Sequence, residues 1–370
     1  MRLYQGQHAF YAGLDLHTRM MYLCVVNPEG EIVLHRNLKS EPESLKRALG
    51  PYLPDVVLGA ECTFSWYWLA DYCRQEKIPF VLGHALYMRA IHGGKTKNDK
   101  IDSEKIARML RGGMFPLAYA YPKEMRATRD LLRRRCYFVR RRGELLAHLQ
   151  NTFSQYNVPS PGMSMFYAVN RADLPACFEQ DSVRRGVEAD VKIVAALNEQ
   201  IKSLDRYLIQ HARVDDPLAY QQLQTIPGVG EVLSLVMLYE IQDVSRFANV
   251  GQFISYARLV SCAHESAGKR LGSGGRKIGN AHLKWAFGEA ACLMLRDHQE
   301  VKRWVDRWEK QYGRRGRALN RLAAELARAV YWMLRRKQPF DLAKFLGLKA
   351  TARARTDAAP ARVEVAAVAK

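Results

Sequence analysis

Asp15 stands inside the apolar run Tyr11-Ala12-Gly13-Leu14-Asp15-Leu16, and no other feature constrains the fold as strongly. Residues 10–16 read as a buried strand. An ionised carboxylate buried there without a partner is very costly. Glu61 repeats the pattern at the end of the apolar strand 55–60. Two acids at like positions on neighbouring strands can point to one spot. Asp99 and Asp102 lie in Asn98-Asp99-Lys100-Ile101-Asp102, three apart, so on a helix they share a face. Four gathered carboxylates repel one another, but become tolerable around hard divalent cations such as Mg2+ or Mn2+, which accept oxygen ligands. Two such ions about 3.5–4 Å apart can stabilise both oxygens of a phosphate displacement. Each acid also has a plain alternative: Asp99 as a helix cap, Glu61 as a strand end in solvent.

The surrounding pattern is α/β. Residues 10–16, 21–26 and 31–37, with the turn Asn27-Pro28-Glu29-Gly30, read as an antiparallel meander. A helix at 41–52, a strand at 55–60, a helix at 65–75 and a strand at 79–82 follow. Together they predict a mixed sheet with helices on its faces over residues 1–122. Residues 123–215 differ. Eight arginines fall between Arg126 and Arg142, over a seven-residue apolar repeat. Leu131, Phe138 and Leu145 form one line; Leu132, Val139, Leu146 and Phe153 form the other. Pro159, Pro161 and Gly162 break it. A second helix at 181–212 carries Val194, Leu197, Ile201, Leu204 and Leu208 at alternating steps of three and four. Such a pair makes either a helical hairpin arm or a seam between copies of the chain. Residues 216–347 read as compact and mostly helical, and 348–370 as a disordered tail.

Composition narrows the partners. Lys plus Arg number 57 against 37 Asp plus Glu, a net charge of +20. A surface this basic attracts polyanions, nucleic acid above all. The seven cysteines form no C-x-x-C pair, which argues against a zinc site or a disulfide framework. Neither a signal peptide nor an 18-residue apolar run is visible, so a cytoplasmic, nucleoid-associated protein without a membrane span is expected. Arg133, Arg134, Arg135, Arg140, Arg141 and Arg142 of the arginine-rich helix are expected to grip nucleic-acid backbones.

Two motifs stand out in residues 216–347. Thr225-Ile226-Pro227-Gly228-Val229-Gly230-Glu231 precedes an apolar helix at 232–241 and resembles a helix-hairpin-helix. Backbone N–H groups near Gly228 and Gly230, beside a helix N-terminus, suit phosphate. A plain turn needing glycine is the alternative. His264-Glu265-Ser266-Ala267-Gly268-Lys269-Arg270 and Leu271-Gly272-Ser273-Gly274-Gly275-Arg276-Lys277 read as a Gly- and Ser-rich loop. Small residues there allow close approach to a ligand, and Lys269, Arg270, Arg276 and Lys277 supply charge. A serine hydroxyl in such a loop could attack a phosphodiester if something polarised the phosphate and took the proton.

In order and spacing these segments resemble the DEDD transposases of the IS110 group of bacterial insertion sequences. The likeness runs over about residues 9–347. It joins Gly-Leu-Asp at 13–15, Glu-Cys-Thr at 61–63, N-D-K-I-D at 98–102, the arginine-rich helix, I-P-G-V-G, S-Y-A-R-L, E-S-A-G and R-K-I-G-N-A-H-L-K-W-A. It implies a RuvC-like (RNase H) domain with metal-holding Asp15, Glu61, Asp99 and Asp102, followed by a transposase domain with Ser266 as nucleophile. It also implies a covalent phosphoserine intermediate, a dimer or tetramer, and a structured guide RNA encoded by the element. Glu61-Cys62-Thr63-Phe64 departs from the common E-A-T-G, and Ala267 separates Ser266 from Gly268. Ser261 and Ser273 remain competing nucleophiles. The rival readings are a RuvC-like nuclease or junction resolvase that uses water, and a non-enzymatic nucleic-acid-binding architectural protein.

Overall fold

The computed structural model describes residues 2–91, 98–159, 164–165, 167–260, 262–266, 269–274 and 278–347, with strand placement alone for 262–266 and 270–274. The expected tail at 348–370 lies outside the described residues. Two compact units are resolved, Met1–Ala127 and Thr128–Lys370.

The first unit is built on a five-stranded sheet: β1 (Phe10–Leu16), β2 (Met20–Val26), β3 (Ile32–Lys39), β4 (Val56–Glu61) and β5 (Phe80–Gly83), in the order β3-β2-β1-β4-β5. β1, β2 and β3 pair antiparallel, while β4 runs parallel to both β1 and β5. The meander is therefore as expected, with ends shifted by a residue or two. Helices α1 (Pro42–Leu49), α2 (Trp66–Gln75), α3 (Ala85–Ile91) and α4 (Asp99–Arg111) complete it. The expected helix at 41–52 ends earlier, and Pro51 lies in a short 3-10 turn, Gly50–Tyr52.

β1 is continuously apolar because both of its faces are covered. Leu14, Leu23 and Leu58 pack with Leu45, Leu49 and Leu69 on one side. Tyr11, Cys24 and Val57 pack with Ile106, Ala107 and Leu110 of α4 on the other. Gly13 makes the second contact possible. A Cβ there would lie 2.2 Å from the Ser103 carbonyl oxygen and 2.3 Å from the Ala107 nitrogen, both backbone. Gly13→Ala is expected to destabilise the unit by about 3 kcal/mol. Gly143→Ala, at a helical position with open space around it, is expected to stabilise by up to about 1 kcal/mol. Urea unfolding of the two variants should give opposite signs.

The second unit contains two long helices, α5 (Lys123–Gln155, whose first turns belong to the first unit) and α6 (Asp181–Asp215). Arg135 pairs with Asp205 at 2.7 Å, Arg142 donates to Asn198 at 2.8 Å and His148 meets Asp190 at 2.7 Å. As the first number of each pair rises, the second falls, so the helices run antiparallel. Val187, Val194, Ile201 and Leu208 are buried at seven-residue intervals on α6. Phe153, Met165, Leu174, Phe178 and Val187 form a small core at the end of the hairpin. Within the chain the two heptad-bearing helices pair with each other as an antiparallel hairpin. At 1.5 Å per residue each helix is about 50 Å long.

Helices α7 (Pro217–Gln224), α8 (Glu231–Ile241), α9 (Val250–Tyr256), α10 (Ala281–Asp297), α11 (Gln299–Tyr312), α12 (Arg315–Arg336) and α13 (Leu342–Phe345) follow. Between α9 and α10 the expected loop is instead a hairpin of β6 (Cys262–Ser266) and β7 (Lys269–Gly274), which pair antiparallel. Backbone hydrogen bonding settles this, because the segment lacks the alternating apolar residues that signal a strand. Among the described residues no helix is long and apolar enough to cross a membrane.

Candidate functional site

Asp15 is the next-to-last residue of β1, and Glu61 the last of β4. The β1–β4 register pairs Leu14 with Ala60, which sets Asp15 and Glu61 at neighbouring positions on one sheet edge. Both follow the alternation of the α4-covered face, where Tyr11 and Val57 lie. α4 begins at this edge. Its N-cap is Asn98, whose side chain accepts from the Ile101 N–H at 2.8 Å. Asp99 is thereby released from the capping role that its position suggested. His35 on β3 pins the same turn by donating to the Lys100 carbonyl at 3.0 Å.

Asp15, His17 and Asp99 each present a ligand atom within 4.8 Å of the others. His17 Nε2 lies 3.4 Å from Asp15 Oδ2 and 3.5 Å from Asp99 Oδ1. Burial pushes the Asp15 carboxyl above its ordinary value; His17 pulls the other way, and Asp99 and Asp102 add to the rise. Asp102 carries a local partner, Lys105, at 3.3 Å. The structure thus brings three of the four expected acids within electrostatic reach of one another and sets Glu61 one strand over.

His17 was missed in the sequence. Its signal was present: Asp-x-His at a strand end puts both side chains on one face. The donor set, carboxylate oxygens with one imidazole nitrogen, suits a hard or borderline divalent cation. Such an ion would relieve the like-charge strain on Asp15.

A second acid in an apolar run was also passed over. Glu240 lies in α8, where Leu233 through Ile241 are all buried, and it is 1% exposed. Arg133 donates to both of its oxygens at 2.6 and 3.0 Å, Arg129 at 3.0 Å and the Asn280 amide at 2.7 Å. Asn280 also caps α10, accepting from His282 and Leu283. Burial alone would push the Glu240 carboxyl up, but these partners hold it below its ordinary value.

The arginines expected to grip nucleic acid therefore divide. Arg133, Arg135 and Arg142 make intramolecular bonds to Glu240, Asp205 and Asn198. Arg134, Arg140 and Arg141 face solvent, Arg141 beside Glu144. Gly228 has φ +82°, and a Cβ there would meet the Met294 nitrogen at 2.8 Å, so its small size serves packing against α10. Gly230 is exposed at the N-cap of α8, with open space around it. Ser266 ends β6, opposite Lys269 in the register, and Arg270 follows in β7. Lys269 is exposed. Arg276, Lys277 and Ser261 lie outside the described residues, and Ser273 is placed in β7.

Comparison with known proteins bears on both units. Residues 12–158 match the family model of the IS110-type DEDD transposases, described as "Transposase". Residues 220–308 match the model "Transposase IS116/IS110/IS902 family". The chain is 23% identical over 339 residues to the transposase for insertion sequence element IS1111A of Coxiella burnetii, covering 88% of this chain and 89% of the relative. It is 30% identical over 152 residues to the insertion element IS116 uncharacterized 44.8 kDa protein of Streptomyces clavuligerus, covering 39% of this chain and 36% of that protein. The five-stranded mixed sheet with a mostly helical remainder fits an RNase H-like domain joined to a helical one.

Proposed function

Since the chain belongs to the DEDD transposases of the IS110 family, and is thus a DNA-recombining enzyme, we propose that it moves an insertion sequence by serine attack on DNA phosphodiesters at a metal-assisted site. The observation that carries this reading is Asp15: half-buried, strained by like charge from Asp99 and Asp102, and set on the sheet edge beside Glu61. Asp15, Glu61, Asp99 and Asp102 would hold Mg2+ or Mn2+. When bound, the ion would polarise the scissile phosphate and lower the charge the attacking oxygen must meet.

The remaining roles fall to the chain's own groups. The Ser266 hydroxyl attacks phosphorus; its O–P bond forms as the bond to the leaving DNA oxygen breaks, and the serine proton passes to solvent or a base. The exchanged strand's hydroxyl then attacks the phosphoserine and releases the serine. Bond energy is conserved across both steps, so no nucleotide triphosphate is consumed. Arg134, Arg140, Arg141 and Lys269, with the N–H groups at the start of α8, supply contacts to phosphates. Pairing with an element-encoded guide RNA selects the DNA sequences. The chain acts as a dimer or tetramer, in which one copy's acids serve another copy's serine. His17 is a positioning residue that spans Asp15 and Asp99. His17→Ala is expected to weaken Mn2+ binding about ten-fold in calorimetry while leaving the melting temperature unchanged.

Denaturing gels with end-labelled element DNA test the chemistry. A protease-sensitive protein–DNA adduct, absent in Ser266→Ala and present in Ser273→Ala, is expected. Cleavage by Ser266→Ala without any adduct would establish the water-using nuclease instead.

A further inference from the structure

Helices α11, α12 and α13 line an open cleft of about 790 Å³ that the proposed strand transfer does not use. Its wall is aromatic. Trp304 and Trp308 of α11 lie 5.5 Å apart between ring centroids, and Phe345 of α13 lies 5.7 Å from Trp304. Trp332 of α12 keeps 41% of its surface exposed. The Arg336 guanidinium stands 4.7 Å over the Trp332 ring, and that of Arg321 stands 5.9 Å over Trp308. Leaving this much aromatic surface open to water is unfavourable, and such surface usually marks a binding site.

Charge identifies the occupant. The lining includes four cations, Arg321, Arg328, Arg336 and Lys344, against two acids, Glu325 and Asp341. Glu325 is already engaged by Arg321 and Arg328, at 2.9 and 3.2 Å. Asp341 caps α13 through the Lys344 N–H. Arg336 and Lys344 remain to favour an anion. The chain's own residues 348–370 fit poorly: they contain no aromatic side chain and carry five Lys or Arg against two acids. A flat apolar group joined to an anion is what stacked rings beside guanidiniums recognise, and an unpaired nucleotide has that form.

We propose that this cleft receives an unpaired base of a single-stranded DNA segment, stacked on Trp332, with its flanking phosphates on Arg336 and Lys344. Paired bases hide their faces in the duplex stack, so the site would distinguish opened DNA from closed. Strand exchange must expose such bases.

The test uses the full chain, with a fluorescein-labelled DNA oligonucleotide offered single-stranded and as the matching duplex. By anisotropy, Trp332→Ala is expected to weaken single-strand binding about ten-fold. Duplex binding, carried by phosphate contacts, should stay within about two-fold. Arg336→Ala, an exposed change, should weaken single-strand binding in the same sense and keeps the test open if the tryptophan variant unfolds. A 4-thiothymidine oligonucleotide should photocross-link to peptides containing Trp332 or Trp308. Unchanged single-strand affinity in both folded variants, equal losses on duplex, or cross-links confined elsewhere would overturn the proposal. So would an RNA strand of the same sequence that depends on Trp332 where the DNA strand does not.

Discussion

Asp15→Ala is expected to lower strand transfer at least about a thousand-fold, equivalent to roughly 4 kcal/mol of transition-state stabilisation, while the fold persists. Its neighbours give the reason. Asp15 is the most buried of the grouped acids, and Asp99 and Asp102 both act on it electrostatically. Losing it removes the ligand at the centre of the set. Stability should move the other way. Burial disfavours the charged carboxylate, and Asp99 and Asp102 add repulsion against the pull of His17, so metal-free Asp15→Asn should melt above the wild type, and added Mn2+ should narrow that gap by stabilising the wild type alone. Differential scanning fluorimetry with and without Mn2+ checks this. A variant that loses activity and stability together would make Asp15 a structural residue.

Glu240→Ala is expected to give a large stability loss, about 3 kcal/mol, because Arg129 would keep a buried charge, and the partly exposed Arg133 a second one, without their acid. Glu240→Gln, which keeps an acceptor for one guanidinium, should cost less. The pH dependence follows from the direction of the shift. The folded carboxyl is held below its ordinary value by Arg133, Arg129 and Asn280 in spite of burial. Its contribution is therefore complete above the unfolded value, about 4.3, and is lost as pH falls through the folded value. Urea midpoints measured from pH 7 down to 3 should show an acid decline in the wild type that is flattened in Glu240→Gln.

Asp15 and Glu240 mark how far the sequence can be read. Each is a lone acid in an apolar run, and that signal alone does not say what compensates it. Asp15 meets other acids and is strained; Glu240 meets arginines of α5 and is stabilised. The partner Arg133 lies 107 positions from Glu240, so sequence spacing could not reveal it. The same distance effect explains the arginine helix. Arg133 and Arg135 read as a basic stripe only until Glu240 and Asp205 are folded against them. The sheet was more legible, because β1 and β4 are continuous apolar runs and the 27–30 turn fixes the meander. The β6–β7 hairpin was not, since Gly and Ser carry no facial pattern and only backbone pairing distinguishes strand from loop. His17 was hidden for a chemical reason: a pattern of carboxylates alone does not include the imidazole two residues beyond Asp15 that spans Asp15 and Asp99.

Anomalous diffraction from crystals soaked in Mn2+ is the most direct measurement of the carboxylate site. A peak coordinated by Asp15 and Asp99, with Asp102 or Glu61 completing the set, and absent from Asp15→Ala crystals, is expected. A peak bound elsewhere, or none at this sheet edge in crystals that catalyse strand transfer, would contradict it.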